Sequence, residues 1–437
     1  MRSLTFKGGT HPDDKKFATK NKPIVEMAPS KEMVYPLIQH IGAQCEPIVN
    51  VGDSVLVGQK IADSDAFVSA PIHSTVSGTV KAIEMRRHPN GKMVKSIIIE
   101  NDNLNKMCDS IKRYDDFEKK SKEEKLKIIR EAGIVGLGGA GFPTHIKLNP
   151  QKEIDYAIIN GAECEPYLTS DHRVMLETSW MVVEGLRLIM GIVDAKKGYI
   201  AIEENKGDAI EKMSEAAKKY DNIEVVKLKT KYPQGSEKHL IKAVCSREVP
   251  SGKLPADVGV VVDNVDTSCA VYNAAYFRQP VLSRVVTVSG GAIDNPQNFR
   301  VKIGSSFEDV IKNAGGFVGD VKKVVMGGPM MGIAQFDLSV PVVKTTSAIL
   351  AFDANEINVK EKNPCIRCGS CVEKCPMHLM PIYLAQYAAS GDLKKCLEYN
   401  IMDCIECGVC SYICRSDRHP VQAIKLAKQK INAMRRK

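Results

Sequence analysis

The chain has 437 residues, of which 44% are hydrophobic and 26% charged, a composition typical of a water-soluble protein with several domains. The formal net charge of +9 is modest for this length, and no interleaving of aromatic and basic residues accompanies it, so we exclude nucleic acid as a partner. No apolar run is long enough to span a bilayer, and the first residues lack the apolar core of a signal peptide. We therefore expect a cytoplasmic protein that reaches a membrane only through partners.

Short predicted strands separated by glycine turns occupy residues 36–100, for example in VGDSVLVGQKI and SAPIHSTVSGTVKAI. The pattern resembles the barrel-sandwich fold of biotinyl and lipoyl carriers. Carriers of this fold modify a lysine at a hairpin tip, but no lysine occurs between Lys60 and Lys81. We expect an N-terminal segment (1–30) and then a structural or docking module (31–100) with no covalent biotin or lipoyl group.

A glycine-rich loop, GIVGLGGAGFPTHIKL, follows the predicted amphipathic helix KSKEEKLKIIREAG. It satisfies the G-x-G-x-x-G pattern of dinucleotide sites, although such a loop ordinarily follows a strand. Pro143 is suited to the first turn of a following helix, and Lys147 lies where it could neutralise a phosphate. The alternative is a surface loop without a ligand. The glycines of the pattern are Gly136, Gly138 and Gly141, and three glycines would let backbone amides approach a phosphate or a flat ring: Gly138, Gly139 and Gly141.

Strands and helices alternate along residues 154–267. The apolar run 154–159 is of the buried-strand type, and the predicted strands GYIAIEEN, IEVVKLK and VGVVVDNVDT follow, with a helix over 206–220 and another after YPQGSEK. This alternation predicts a parallel sheet with helices on both faces. Ligands bind where such strands end, and there the chain places polar side chains and a glycine at a bend: Asn160, Glu163, Glu165, Glu203, Glu204, Gly235, Asp263, Asn264 and Thr267.

Two of these residues could contact a ligand directly. Glu163 and Glu165 could hydrogen-bond ribityl or ribose hydroxyls, or lie beside a nicotinamide. The alternative is a solvated acidic loop.

Eight of the fourteen cysteines form two C-x2-C-x2-C-x3-C motifs. In such motifs three cysteines hold one [4Fe–4S] cluster and the fourth reaches the neighbouring cluster. Zinc fits this spacing poorly, because structural zinc sites use C-x2-C pairs separated by a longer loop. Pro376 follows the first motif, whereas Arg415 follows the second. The predicted ligand sets are Cys365, Cys368, Cys371 and Cys414 for one cluster, and Cys404, Cys407, Cys410 and Cys375 for the other.

The stretch between the two motifs has helical spacing, which favours a helical two-cluster module over a β-rich ferredoxin fold. We interpret most of the other six cysteines as small buried apolar residues. The basic segment 423–437 predicts a solvated helix end, with a docking element as the alternative.

The motifs GLGGAGFPTHIK, NGAECEP, YPQGSEK and DNVDT resemble the FMN- and NADH-binding subunit of respiratory complex I. Their order along the whole chain, beginning with GGTHP near Gly8, resembles the RnfC family of the Rnf electron-transport complexes. The chain departs from the complex I pattern at Ala162, Ser236 and Asp263. The resemblance implies catalytic roles for Glu163 and Glu165, and a flavin and NAD(H) site built from Gly136, Gly138, Gly139, Gly141, Lys147, Asn160, Glu163, Glu165, Gly235, Glu237, Asn264 and Thr267.

Residues 284–350, including RVVTVSGGAIDNPQNFRVKIG, resemble the small β-grasp SLBB domain. We interpret the loop VMGGPMMG, from Val325, as tight packing between domains. The fold class is therefore a multidomain α/β protein. Its expected parts are the N-terminal segment, a barrel-sandwich module, a Rossmann-like FMN and NAD(H) domain (101–280), an SLBB domain (281–352) and a helical two-cluster ferredoxin domain (353–437).

The resemblance implies a peripheral subunit on the cytoplasmic side of the membrane, in a ferredoxin:NAD oxidoreductase coupled to ion pumping. FMN would exchange a hydride with NAD(H) and single electrons with two [4Fe–4S] clusters. Expected partners are membrane subunits of the same complex and another iron–sulfur or ferredoxin-like carrier. Alternatives within the redox class are the cobalamin reductase of propanediol microcompartments and the electron-transfer protein of proline reduction. An alternative of another class is an interaction scaffold with purely structural clusters.

Overall fold

The computed structural model describes residues 3–435 except for 358–360 and 362. Within these residues a barrel-sandwich, an α/β unit, a β-grasp unit and a helical unit follow one another, which confirms the predicted fold class. We found no helix in the described part of the chain that is long and apolar enough to cross a membrane.

The barrel-sandwich consists of two small antiparallel sheets, with strand orders β2-β8-β7-β4 and β3-β5-β6. Its core includes the fully buried Met33, Tyr35, Ile61 and Ile97. The first strand of the chain lies outside it and joins a later sheet. The strands are β1 (Ile24–Glu26), β2 (Glu32–Pro36), β3 (Glu46–Pro47), β4 (Ser54–Val55), β5 (Lys60–Asp63), β6 (Ile72–His73), β7 (Gly78–Arg87) and β8 (Met93–Asn101).

The α/β unit has a four-stranded sheet in the order β11-β10-β9-β12, and every neighbouring pair is parallel, as predicted. Helix α1 begins with a capping box between Ser121 and Glu124. The elements of the α/β unit are α1 (Lys122–Glu131), α2 (Thr144–Lys147), β9 (Tyr156–Gly161), α3 (Ser170–Glu177), α4 (Ser179–Val193), β10 (Lys197–Glu203), α5 (Gly207–Ala217), β11 (Ile223–Leu228), α6 (Glu237–Cys245), β12 (Val260–Asn264) and α7 (Val265–Phe277).

Two sequence-based placements in this unit are wrong. Thr267 does not end a strand but lies in the first turn of α7, because Asn264 ends β12 and caps the helix at once through a bond from the Asp266 amide. Asn160 lies inside β9 rather than after it. Both residues still lie at the carboxyl edge of the sheet.

The β-grasp unit has a six-stranded sheet in the order β1-β14-β13-β17-β15-β16, with helix α8 on one face. Strand β1 pairs in parallel with β14, so the N-terminal part of the chain completes this sheet. The elements are β13 (Ser283–Ser289), β14 (Gln297–Lys302), α8 (Phe307–Asn313), β15 (Lys323–Met326), β16 (Ile333–Gln335) and β17 (Ala348–Phe352).

The C-terminal unit is helical over residues 363–435, as predicted, with no strand in that range. Each cysteine motif continues into a short helix after a glycine of positive φ, Gly369 at 75° and Gly408 at 78°. The basic segment forms an amphipathic helix whose buried face includes Ile424 and Ile431; residues 436–437 of that segment lie outside the described part. The helices are α9 (Ser370–Glu373), α10 (Pro381–Ser390), α11 (Leu393–Glu398), α12 (Val409–Tyr412) and α13 (Pro420–Arg435).

Candidate functional site: a glycine loop beside a cysteine module

The glycine loop is a tight turn that leaves helix α1. Val135 bridges Pro143, and the Gly136 amide donates to the Phe142 carbonyl at 2.9 Å. Residues 138–140 form its exposed tip. A Cβ on Gly138 would lie 2.4 Å from Asn264 Nδ2, whereas Gly139 has open space around it. The tip therefore presents backbone to any bound group, and only glycine fits at position 138.

Polar side chains from β12 and α7 hold this loop from behind. The Leu137 amide donates to Thr267 Oγ1 at 3.0 Å. Asn264 Nδ2 donates to Asp171 Oδ2 at 2.7 Å, which fixes the amide that packs against Gly138. The structure thus brings together the loop, Asn264 and Thr267, which the sequence places more than 120 residues apart.

Lys147 lies at the same edge but faces carboxylates. Its Nζ donates to the Val262 carbonyl at 2.7 Å and lies 3.4 Å from Asp263 and 3.7 Å from Glu237. Burial favours the neutral amine, but the two carboxylates outweigh burial and raise the pKa of Lys147. Burial raises the pKa of Asp263. Lys147 is therefore a charged group, and its role toward a phosphate stays a prediction.

Three buried polar side chains have atoms without a partner: Thr144 Oγ1, both amide atoms of Gln234, and Oδ2 of Asp263, whose Oδ1 is the atom paired with Lys147. Such orphaned atoms are rare in a finished interior. They fit a bound ligand with several donors and acceptors, such as the phosphate, ribityl chain and ring edge of a flavin. Sequence reasoning missed Thr144 and Gln234, although both lie inside quoted motifs.

Asn160 and Gly235 contact each other directly. Asn160 Nδ2 donates to the Gly235 carbonyl at 2.8 Å, and the Gly235 amide contacts Cys164 Sγ at 3.3 Å. Burial raises the pKa of Cys164 to about 12, so its thiol stays neutral. This supports the interpretation of Cys164 as a packing residue, although three of the six scattered cysteines, Cys108, Cys164 and Cys245, are only half-buried.

Neither candidate glutamate belongs to a solvated loop. Glu163 caps helix α3, accepting from the Asp171 amide at 2.7 Å and the His172 amide at 3.3 Å. Glu165 accepts from the amides of Met330 at 3.0 Å and Met331 at 2.9 Å, both in the predicted VMGGPMMG packing loop. Burial raises the pKa of Glu165 to about 7. The sheet edge is therefore closed on one side by the β-grasp unit.

Two buried lysines beneath this segment were not predicted. Lys16 donates to the carbonyls of Glu163 at 3.0 Å and Glu165 at 2.9 Å. Lys206 donates to the Ala162 carbonyl at 2.6 Å and to Glu203 at 3.2 Å. These bonds fix the backbone of NGAECEP. Isolated lysines carry no local motif, so the sequence offered no signal for either.

The fourth cysteine of the first motif, Cys375, lies beside the second motif. One small pocket is lined by three thiols of the second motif, Cys404, Cys407 and Cys410, together with Cys375 of the first. On the other side, burial and the neighbouring thiols Cys414, Cys365 and Cys368 raise the pKa of Cys371. These are the two sets expected from the spacing. Among the described residues no three ligand-type side chains converge on a single metal-ion position.

The module carrying these cysteines docks on the edge of the parallel sheet. Tyr232, just after β11, donates through its hydroxyl to the Cys407 carbonyl at 2.8 Å. His239 Nε2 lies 3.0 Å from the Pro376 carbonyl. The Gly9 amide donates to the Lys374 carbonyl at 2.9 Å. The second motif therefore borders the α/β unit, whereas Cys365 and Cys368 are exposed.

Four family models match the chain in the order of these units. They are an RnfC barrel sandwich hybrid domain at residues 4–104, a Nuo51 FMN-binding domain at 129–273, an SLBB domain at 285–334 and a 4Fe-4S dicluster domain at 364–418. The chain is also 46% identical to the C subunit of the Na(+)-translocating ferredoxin:NAD(+) oxidoreductase complex of Acetobacterium woodii, covering 99% of this chain and 98% of that protein.

The chain belongs to the RnfC family. It is 48% identical to the C subunit of the proton-translocating ferredoxin:NAD(+) oxidoreductase complex of Clostridium ljungdahlii, over 98% of this chain and 94% of the relative. An NAD+-reducing [NiFe]-hydrogenase structure matches with a TM-score of 0.53 at 19% identity, over 72% of this chain and 63% of that one, which supports the fold alone.

The family assignment confirms several predictions. The Rnf resemblance is confirmed, as are the FMN-binding domain and the choice of [4Fe–4S] clusters over zinc. Domain boundaries and individual site residues stay predictions.

Proposed function

We propose that this chain is the NAD(H)-exchanging subunit of an ion-translocating ferredoxin:NAD+ oxidoreductase. FMN supplies the conversion between two-electron hydride chemistry and single-electron chemistry. The observation that carries the proposal is the docking of the second cysteine motif against the edge that holds the glycine loop, in a chain with near full-length Rnf relatives. The RnfC barrel-sandwich match at residues 4–104 favours this function over cobalamin or proline reduction.

The flavin site is assigned to the exposed loop tip and the polar edge behind it. Gly138 and Gly139 are exposed at the loop tip, and Asn264 and Thr267 hold the loop in place. The orphaned atoms of Thr144, Gln234 and Asp263 supply donors and acceptors. Those three side chains join the residues expected from the sequence: Gly136, Gly141, Lys147, Asn160, Glu163, Glu165, Gly235 and Glu237.

The glutamates have different tasks in this proposal. Glu163 positions the segment, since its carboxylate is already engaged by the start of α3. Glu165 is placed to meet the nicotinamide, and its pKa of about 7 lets it hold or release a proton near neutral pH. The bonds from Met330 and Met331 must then open when NAD(H) binds.

The cysteine assignment follows the pocket and the exposed pair. Cys375, Cys404, Cys407 and Cys410 would hold the cluster nearer the flavin domain, and Cys365, Cys368, Cys371 and Cys414 the outer one. Two exposed apolar residues are near neighbours in sequence of ligands of the outer cluster: Ile366, which follows Cys365, and Tyr412, two residues before Cys414, are 64% and 52% accessible. We assign this face to another iron–sulfur or ferredoxin-like carrier of the complex. Membrane subunits would hold the chain at the cytoplasmic surface.

The exchange of fourth ligands can be tested by single substitutions. We expect Cys375→Ala to abolish the electron paramagnetic resonance (EPR) signal of the inner cluster and Cys414→Ala that of the outer one, each with about half of the bound iron lost. Cys396→Ala is the matched control, because Cys396 is buried in the same module but outside both motifs. Loss of the outer cluster's EPR signal, rather than the inner cluster's, in Cys375→Ala would contradict the assignment.

The overall function is tested by anaerobic NADH titration of the full chain reconstituted with iron, sulfide and FMN. Bleaching of flavin absorbance together with reduced-cluster EPR signals is the expected result. Flavin bleaching with silent EPR would show clusters too low in potential for NADH, and reduced ferredoxin is then the donor to add. Failure to bind FMN and to respond to NADH would refute the proposal and favour a scaffold with structural clusters.

A further inference from the structure

Arg284 is a buried cation that none of the sequence motifs explains. It lies near the start of β13, in the β-grasp unit, and is 1% exposed. Its Nη2 donates to the Leu137 carbonyl of the glycine loop at 2.9 Å, and its Nη1 pairs with Asp266 in the first turn of α7. Its Nε points to the Thr346 carbonyl at 3.4 Å. One side chain therefore joins the β-grasp unit to the loop and to α7.

This contact fixes both sides of Leu137. The Leu137 amide is bound by Thr267 Oγ1, and its carbonyl by Arg284. In a trans peptide the carbonyl and the following N–H point in opposite directions. Because Arg284 holds the Leu137 carbonyl, the Gly138 N–H points away from Arg284. Asn264 packs against Gly138 and leaves no room for Gly138 to move inward. The first amide of the exposed tip is thus oriented from another domain.

A second buried cation holds the base of the same loop. Lys344, between β16 and β17 and 2% exposed, donates through Nζ to the Gly133 and Pro71 carbonyls, each at 2.7 Å. A buried charge is unfavourable unless it is fully hydrogen-bonded. Both side chains reach from the β-grasp unit to backbone carbonyls of residues 133–137, so this unit holds the loop at its base through Lys344 and next to its tip through Arg284.

We propose that Arg284 is a positioning residue for the flavin: it sets the Leu137–Gly138 peptide so that the Gly138 amide faces the bound cofactor, and thereby tunes flavin affinity and reduction potential from the β-grasp domain. This inference rests on the proposed function, since it requires FMN on the glycine loop. A residue that only stabilised the fold would change thermal stability but not the potential of flavin that is bound.

The test compares Arg284→Met and Arg284→Lys with Arg300→Met in the full chain. Arg300 is the matched control because it lies on the neighbouring strand β14 and pairs with Glu26, away from the loop. FMN affinity is measured by fluorescence quenching on reloading of flavin-free protein, and the flavin midpoint potential by spectroelectrochemistry. Iron content and circular dichroism report on folding.

We expect Arg284→Met to weaken FMN binding at least tenfold and to shift the flavin potential, Arg284→Lys to give intermediate values, and Arg300→Met to match wild type. If folded Arg284→Met has the FMN affinity and flavin potential of the wild type, the inference is overturned but the proposed function is not. If Arg284→Met does not fold, the test uses Arg284→Lys and Thr267→Val instead. Thr267→Val removes the hydrogen bond to the Leu137 amide. A wild-type flavin potential in both variants overturns the inference. Wild-type chain that takes up no FMN overturns the inference together with the proposed function.

Discussion

Replacing Gly8 with alanine should release the N-terminal segment from the cysteine module. Gly8 has φ of 87°, and a Cβ there would lie 2.9 Å from the carbonyl oxygen of Cys375 and 3.1 Å from Pro376 Cα. Both neighbours are backbone atoms that cannot rotate away. Gly91, in the hairpin between β7 and β8, has almost the same φ, 86°, but nothing within 4 Å of its Cβ position.

This pair separates backbone strain from steric contact. A positive φ costs a non-glycine residue about 1–2 kcal/mol at either position. Overpacking against fixed atoms adds about 1–3 kcal/mol at Gly8 alone. Gly8→Ala therefore carries both penalties, about 2–5 kcal/mol, which corresponds to roughly 30- to 5,000-fold in the opening equilibrium of the segment, whereas Gly91→Ala carries only the backbone strain, within its own hairpin.

Hydrogen exchange followed by mass spectrometry measures that opening directly. The Gly9 amide is bound to the Lys374 carbonyl, and the Thr10 amide to the Tyr232 carbonyl at 2.8 Å. Exchange of residues 4–12 should accelerate by the stated factor in Gly8→Ala and stay at the wild-type rate in Gly91→Ala, relative to unchanged peptides of α4. Equal protection in both variants would refute the steric reasoning.

Two further predictions concern the edge between flavin and clusters. Tyr232→Phe leaves the Cys407 carbonyl without its donor, which should cost about 1–3 kcal/mol and shift the midpoint potential of the inner cluster but not the outer one in an EPR redox titration. Burial raises the pKa of Glu165 from its ordinary value of 4.5 to about 7. Below about pH 4.5 Glu165 is protonated in both the folded and the unfolded chain and does not affect the free energy of unfolding. As the pH rises, the unfolded chain ionises first, so the folded state loses stability relative to it. The loss is complete above pH 7, at about 3 kcal/mol. The urea-unfolding free energy of flavin-free protein should therefore fall more steeply between pH 5 and 7 in wild type than in Glu165→Gln; parallel slopes would contradict this assignment.

The sequence was sufficient where a function depends on residues close together in the chain. Glycine spacing, the alternation of strands and helices, and the repeated cysteine motif are local patterns, and the structure contains each of them. The spacing also predicts the exchange of Cys375 and Cys414, because it carries the fourth thiol away from the first three, and the pocket shared by Cys375 and the second motif agrees with that prediction.

The contacts that decide the roles of individual site residues were not predictable. Glu165 meets Met330 and Met331, which lie 165 and 166 positions later. Arg284 lies within an apolar strand pattern, where an isolated arginine at a strand end ordinarily implies exposure. Strand β1 has only three residues and is extended because it pairs with β14, which lies about 270 residues later in the chain. Periodicity carries no information about such distant partners.

The placement of residues 4–26 bears on how the chain is made. Leu4 pairs with Leu228, β1 pairs with β14, and Gly9 bonds to Lys374. The ribosome therefore releases this segment long before any of its partners exists, and a nascent chain that ends before residue 374 has no carbonyl for Gly9. The bond between Gly9 and the cysteine module can therefore form only after residue 374 has been made, whereas the pairings of Leu4 and of β1 need only residues up to 300. The segment is therefore held in stages along the chain, first by the α/β and β-grasp sheets and only afterwards by the cysteine module.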